Sequence, residues 1–185
     1  QSNRERNWFE IKWFLYNLKY LLEISEDSSF SFSFFGLDAK RNSLGFRTNR
    51  VDQIDFGEER DLIKGEFKNF GFESRFLTNY SFLNKKSYLL LGAKYYNSFS
   101  ESIQGPGSNS KNAEFNFDYI NFPNYVNQSE YIYPNYNFAI FGENIFYLND
   151  KVSITPGFRF ENINTSLDGY YRKINLDAAG NTIYN

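Results

Sequence analysis

The sequence predicts an all-β chain, an antiparallel up-and-down arc of a transmembrane β-barrel with about six long strands in three hairpins. Three observations predict it. Aromatic and polar residues alternate with a period of two through much of the chain. The connections between alternating segments are by turns very short and very long. Aromatic content reaches 21% (Phe 22, Tyr 15, Trp 2), yet mean hydropathy is on the polar side. A soluble core draws its apolar mass mainly from Leu, Ile, Val and Ala, and a disordered chain is poor in aromatics. A helical membrane protein has runs of about 18 or more apolar residues. The longest clean run here, around Tyr88–Ala93, is far shorter. A sheet with one aromatic face and one polar face meets all of these constraints.

The first strand is expected over Trp8 to Ile24. Its apolar residues fall on both parities and also fit a helix. The polar turn Glu26-Asp27-Ser28 leads to Ser29–Phe34, where Phe30, Phe32 and Phe34 alternate with serines. A long connection follows, from about Lys40 to Gly65. Asn69 to Phe82 alternates again, with Phe70, Phe72, Phe76, Tyr80 and Phe82 against Asn69, Gly71, Glu73, Arg75 and Asn79. After Asn84-Lys85-Lys86, the segment Ser87 to Ser100 carries Leu89, Leu91, Ala93 and Tyr95 on one parity, with Leu90 and Tyr96 on the other. The second long connection runs from about Glu101 to Glu130, and Gln104 to Ser110 reads as its flexible apex. Asn135 to Leu148 places Phe138, Ile140, Phe141 and Phe146 on mixed parities, which a bulge near Gly142 would reconcile. Asn149-Asp150-Lys151 turns into Val152–Phe160. A third long connection starts near Thr165, and Asp177-Ala178-Ala179-Gly180-Asn181 within it reads as a hairpin turn.

These strands are expected to be about 13 to 17 residues long, beyond the roughly 5–6 of soluble sheets and sufficient for the roughly 9–11 of a tilted membrane strand. Short turns at one end, long loops at the other, an apolar outer face and a polar lumen are the marks of an outer-membrane barrel. About six strands cannot close one, since about eight are needed, so the chain should be an arc of a larger barrel with two open edges. Trp8, Tyr20, Tyr80, Tyr88, Tyr131, Tyr133 and Tyr147 lie near predicted strand ends, where a membrane interface favours amphipathic rings. A soluble β-sandwich with an aromatic core is the competing expectation.

Absences bound the chemistry. The chain has no Cys, His or Met. There is no thiol chemistry or disulfide framework, and the usual general base and commonest metal ligand are missing, so neither an enzyme, a metal site nor a bound cofactor is expected. Without Met at position 1, the chain reads as an internal piece of a longer protein. The net charge of −2 provides no basic field for nucleic acid.

Phe138 to Glu161, with its Asn149-Asp150-Lys151 turn followed by Thr155-Pro156-Gly157-Phe158-Arg159-Phe160-Glu161, resembles the barrel of TonB-dependent outer-membrane receptors. Asp61 to Arg75 and Ala39 to Phe46 look like the ferric-dicitrate branch, in particular its Bacteroidetes-type members. The resemblance covers about Trp8 to Asn185. It implies a barrel of about 22 strands around an N-terminal plug, located in the bacterial outer membrane and importing a ferric chelate such as iron(III) dicitrate with energy from the TonB complex. Residues 1–185 would form part of the barrel domain only, with no plug and no TonB box. The implied partners are outer-membrane lipid, the plug and remaining strands of the parent, the TonB complex and the ferric chelate.

Two sets of residues stand out. Glu73, Arg75, Lys94, Arg159 and Glu161 share the inward parity. They would either contact a plug or line a path as lumen charges, or brace the wall as cross-strand ion pairs. In the first long connection, Arg41, Arg47 and Arg50 are the candidate ligand contacts, because a guanidinium fork binds carboxylates bidentately. Its cations Lys40, Arg41, Arg47, Arg50, Arg60 and Lys64 are nearly balanced by Asp52, Asp55, Glu58, Glu59 and Asp61, and the second loop is acidic. Ordinary solvated loop charge is the alternative. Two further functions compete: a glycan or nutrient importer of the same architecture, with Tyr125, Tyr131 and Tyr133 stacking on sugars, and a soluble β-sheet adhesin.

Overall fold

The computed structural model describes residues 4–47, 52–172, 174–179 and 182–184. These form an all-β chain in one antiparallel, up-and-down sheet that is not closed, with a small two-stranded ribbon after it. Five long strands come first: β1 Trp8–Ser25, β2 Ser28–Gly45, β3 Arg60–Phe82, β4 Lys85–Gly107 and β5 Ser129–Asn149. Each then pairs with the next in sequence order. Three short strands, β6 Val152–Ile154, β7 Gly157–Thr165 and β8 Asp168–Tyr171, all pair with β5. Together they act as a sixth strand interrupted at Thr155-Pro156 and at Ser166-Leu167. Proline has no N–H for the ladder, but its carbonyl still accepts from the Asn144 N–H at 2.9 Å.

The strands run longer than expected. β3 and β4 have 23 residues each, β5 has 21, and β1 and β2 have 18. The long connections shrink accordingly. Arg41 lies within β2, Lys64 within β3, and Gln104 to Gly107 end β4 in register with Arg60 to Ile63. The third connection also carries strands: β8 extends the wall to Tyr171, and β9 (Ile174–Leu176) pairs with β10 (Thr182–Tyr184); of the hairpin turn expected between them, Gly180 and Asn181 lie outside the described residues. The short turns fall at Glu26-Asp27, Leu83-Asn84 and Asp150-Lys151. Leu83 and Asn84 both take positive φ, 51° and 59°, the mirror-image turn that matches strand twist.

No bulge occurs at Gly142, whose pairing to Leu91 and to Phe158 is continuous. Phe138, Ile140 and Phe146 keep one parity. Phe141 alone points the other way, and its ring lies across Gly92, where a Cβ would sit 2.2 Å from the ring. Phe35 covers Gly71 in the same way. On this face a ring from one strand fills the space that glycine leaves on the next.

Register divides the sheet into two faces. On one, here called outer, side by side across the strands, lie Leu18, Phe34, Phe72, Tyr95 and Phe138, next to them Tyr20, Phe32, Ser74, Ala93 and Ile140, and then Leu22, Phe30, Phe76 and Leu91. Phe32–Phe72 and Phe72–Tyr95 stack at 6.0 and 5.4 Å. Yet much of this band is open, including Phe70, Phe72, Phe138, Ile140 and Phe160. The band occupies the half nearest the short turns. Toward the long loops the outer face becomes charged, with Glu10, Lys12, Asp38, Lys40, Lys64, Glu66, Lys68 and Glu101. Lys40 and Glu66 pair there at 2.5 Å.

Most of the fully buried side chains gather in a cap at the loop end. Arg60, Leu44 and Leu62 are at most 1% exposed. Residues 4–7, the 52–59 segment and the 108–128 loop close over them.

Candidate functional site

The opposite, inner face carries two distinct constellations. Glu73, Arg75, Lys94, Arg159 and Glu161 all share this face, in two adjacent register rows. One row reads Lys19, Ser33, Glu73, Lys94, Ala139, Glu161, and the other Leu21, Ser31, Arg75, Gly92, Phe141, Arg159. Ser33, Gly92 and Ala139 leave room beside several of these long side chains, while Glu73 and Lys94 are direct register partners. The ion pairs run along strands, which corrects the cross-strand expectation. Arg75 Nε meets Glu73 at 2.5 Å and Arg159 meets Glu161 at 2.8 Å. Asn137 Nδ2 adds a donor to Glu161 at 2.7 Å. Lys94, opposite Glu73 in register, lies instead over the Phe35 ring at 5.8 Å. Same-strand i, i+2 residues share a face, and the arginine stem is long enough to fold back on its neighbour.

The second constellation is at the loop end. Asp61 on β3 accepts from the Tyr125 hydroxyl and pairs with Arg47 at 3.2 Å. Gln104 Nε2 on β4 donates to the Tyr125 oxygen at 3.0 Å. Tyr125 is buried, 5% exposed, although it sits in a loop. Burial pushes its hydroxyl pKa up, and the Asp61 carboxylate adds to the shift. The Tyr125 end of the loop therefore folds back over the inner face and is pinned there, while Phe117 lies on the outer side against Gly105 and Lys64. Beside the pin an open cleft of about 340 Å³ is lined by Phe9, Ser43, Arg47, Asp61 and Ile63 among others.

The cap above is held by two buried arginines. Arg60 donates to the carbonyls of Ser108 (2.8 Å), Arg6 (3.1 Å) and Asn112 (2.9 Å) and to the Ser108 and Ser110 hydroxyls. Arg6 grips Asp55 bidentately, Nε at 2.7 Å, and donates to the Glu58 and Asn109 carbonyls at 2.9 Å. Arg6 holds the Asp55 carboxyl below its usual range, while burial and then nearby Arg6 lower the Arg60 pKa. Hydroxyls of Ser108 and Ser110 lower that of Glu114.

The three candidate ligand arginines meet different fates. Arg47 is engaged by Asp61. Arg50 lies outside the described residues. Arg41 is not in a loop: it stands on the inner face of β2, exposed, opposite Ile11 and Gly65, with its guanidinium 5.6 Å from the centre of the Phe67 ring. Among the described residues no carboxylate pairs with it.

Of the seven expected interface aromatics, Trp8, Tyr20 and Tyr80 share the outer parity, but Tyr88, Tyr131, Tyr133 and Tyr147 are on the inner face. Proximity to a strand end does not decide the side. Arg6, Arg60 and Gln104 were not legible as site-building residues, because their partners lie 21 to 103 positions away.

Comparison with protein-family models, with curated proteins and with solved structures returns no significant match to this chain.

Proposed function

We propose that this chain is an arc of a bacterial outer-membrane β-barrel, part of a TonB-dependent receptor that captures a ferric chelate such as iron(III) dicitrate at its loop end. One observation carries the reading: the open apolar band and the row of inner charges lie on opposite faces of the same strand segments. In water, so large an exposed aromatic surface is a liability; in lipid it is the solvated face. From Phe70 to Phe82 the strand advances roughly 40 Å at about 3.3 Å per residue. A tilt of about 45° reduces that to roughly 28 Å, close to the roughly 25 Å apolar band of such barrels. The charged collar at Lys40, Glu66 and Lys68 then stands above the lipid, and the capped loops face outside. The two free edges, β1 and β6–β8, pair with the parent's other strands, giving a barrel of about 22 strands around a plug that engages the TonB complex.

Cysteine scanning tests the topology directly, because these 185 residues contain no Cys. Asn112→Cys in the full-length protein should react with a membrane-impermeant maleimide on intact cells. Ser33→Cys should react with small water-soluble thiol reagents, and Phe72→Cys with lipid-soluble ones only. Equal water-soluble labelling of Phe72→Cys and Asn112→Cys would sink the barrel and favour a soluble adhesin. For the cargo, alanine at Arg41, Arg47 and Arg50 together should weaken ferric dicitrate binding; unchanged affinity removes those residues from the site.

One observation favours a glycan or nutrient cargo. Ser98, Ser100 and Ser102 line the inner face of β4, and Tyr131 and Tyr133 stand across from two of them on β5. Hydroxyls beside tyrosine rings suit a sugar. Expression that ignores iron starvation would support this alternative over the chelate.

A further inference from the structure

The loop-end half of β1 breaks the pattern of the sheet. Near the short turns most of its apolar residues, Phe14, Leu18, Tyr20 and Leu22, point outward like those of its neighbours, with Leu21 on the inner side. Nearer the loops the sides exchange: Glu10 and Lys12 point outward, and Phe9, Ile11, Trp13 and Leu15 point inward. This inner stripe spans roughly 20 Å at about 3.3 Å per residue, and it is open. Trp13 is 64% exposed and Leu15 is 68% exposed. Across the ladder it continues into Leu37 and Ala39 of β2 and Phe67 of β3. Elsewhere the middle of this wall is mostly serine, asparagine, glycine and charged residues, with the rings of Phe35, Tyr96 and Phe141 among them.

Arg41 stands in the middle of the patch. It is opposite Ile11 on one side and Gly65 on the other. Gly65 leaves space for the Phe67 ring, which lies within 3.0 Å of where its Cβ would be, and the ring in turn carries the Arg41 guanidinium. Between the register row of Asp61 and that of Glu73, the described inner wall holds no carboxylate. The patch is thus apolar on its floor and positive at its centre, and the open cleft beside Phe9 and Ile63 adjoins it.

We infer that this patch is a binding site for an amphiphilic anion, a carboxylate joined to an aryl or acyl body. The body lies on the Phe9–Ile11–Trp13–Leu15 stripe and the anionic group meets Arg41. The inference rests on the barrel reading above but departs from its dicitrate cargo at Arg41: a chelate bound here carries an aromatic or acyl group, unlike citrate, and any dicitrate contacts then fall to Arg47 and Arg50. A guanidinium held over an aromatic ring keeps a full set of N–H donors at its edge for a carboxylate.

The test uses the full-length protein in lipid nanodiscs, with 1-pyrenebutyrate as probe and empty nanodiscs as the partition background. Saturable binding is expected above that background. Neutral 1-pyrenebutanol should bind at least ten-fold more weakly, and citrate should not compete. Trp13→Ala and Arg41→Gln should each weaken 1-pyrenebutyrate at least ten-fold, and Arg41→Lys, which keeps the charge, by no more than about three-fold. Absence of saturable binding, or equal binding of the alcohol, overturns the site. Leu15→Cys, read beside Phe72→Cys, separates this failure from failure of the barrel. Water-soluble maleimide reacting at Leu15→Cys but not at Phe72→Cys leaves the barrel standing, water-soluble reaction at both overturns the barrel, and reaction of Leu15→Cys with only a lipid-soluble maleimide overturns barrel and site together.

Discussion

The turn-side half of the sheet and its loop-end cap use opposite means of stabilisation. The turn-side half has almost no interior: its rings touch neighbours along one layer and leave their outer surface open. The cap buries its contents, and its largest fully buried side chain is an arginine. A one-layer sheet has no second layer to cover its apolar face, so the wall depends on its surroundings as solvent. The cap supplies its own surroundings by turning carbonyls inward onto two guanidinium groups. A buried cation is costly unless its donors are matched, and all of the Arg60 partners are carbonyls or hydroxyls of two separate segments. Remove the cation, and those segments have little reason to stay together.

The largest expected effect follows from that. Arg60→Met should destabilise the cap by several kcal/mol, because each buried carbonyl left without its donor costs about 1–3 kcal/mol. The 108–128 loop should become sensitive to protease while the five long strands keep their β circular-dichroism signal. Loss of both together would mean that cap and wall fold as one unit.

Next in size is Phe72→Arg, on the outer face in mid-band. An arginine on the lipid face near mid-bilayer costs about 2–4 kcal/mol, falling to about 0–1 near the interface. Phe99→Arg, beside the charged collar, should therefore cost much less. Urea titrations in lipid vesicles measure both. Equal, small costs at the two sites would mean that the band faces water.

The smallest effect is a pH response confined to the cap. The Asp55 carboxyl has a lowered pKa, so its contribution is complete above the ordinary value of 3.8 and is lost as pH falls below that toward the folded value. Tyr125 is shifted the other way. Its contribution is complete below the ordinary 10.0 and fades as pH rises beyond it. Protease sensitivity of the two loops should rise at both extremes, by an amount equivalent to about 1–3 kcal/mol, with the midwall unaffected. Asp55→Asn should abolish the acid response and Tyr125→Phe the alkaline one.

The hairpin plan, the three short turns and the grouping of Glu73, Arg75, Lys94, Arg159 and Glu161 on one face were determined by the sequence alone. The reason is local: successive Cβ atoms alternate sides along a strand, so parity is readable without knowing any partner. The mixed parities of β1 and β5 were visible too, but their meaning was not. Only the neighbouring strand reveals that Phe141 lies over Gly92 while the pairing stays regular, or that the apolar side of β1 exchanges halfway along. The fate of each charge was also decided in three dimensions. Arg47 and Arg41 look alike in the sequence, six residues apart, but Asp61 engages one and a bare phenylalanine ring supports the other. Arg60 reads as one more loop cation until the strand extends to include it and two distant segments turn their carbonyls toward it. Alternation is a property of one chain segment, whereas ion pairing, burial and an open guanidinium depend on which segments meet, and only the tertiary structure brings those together.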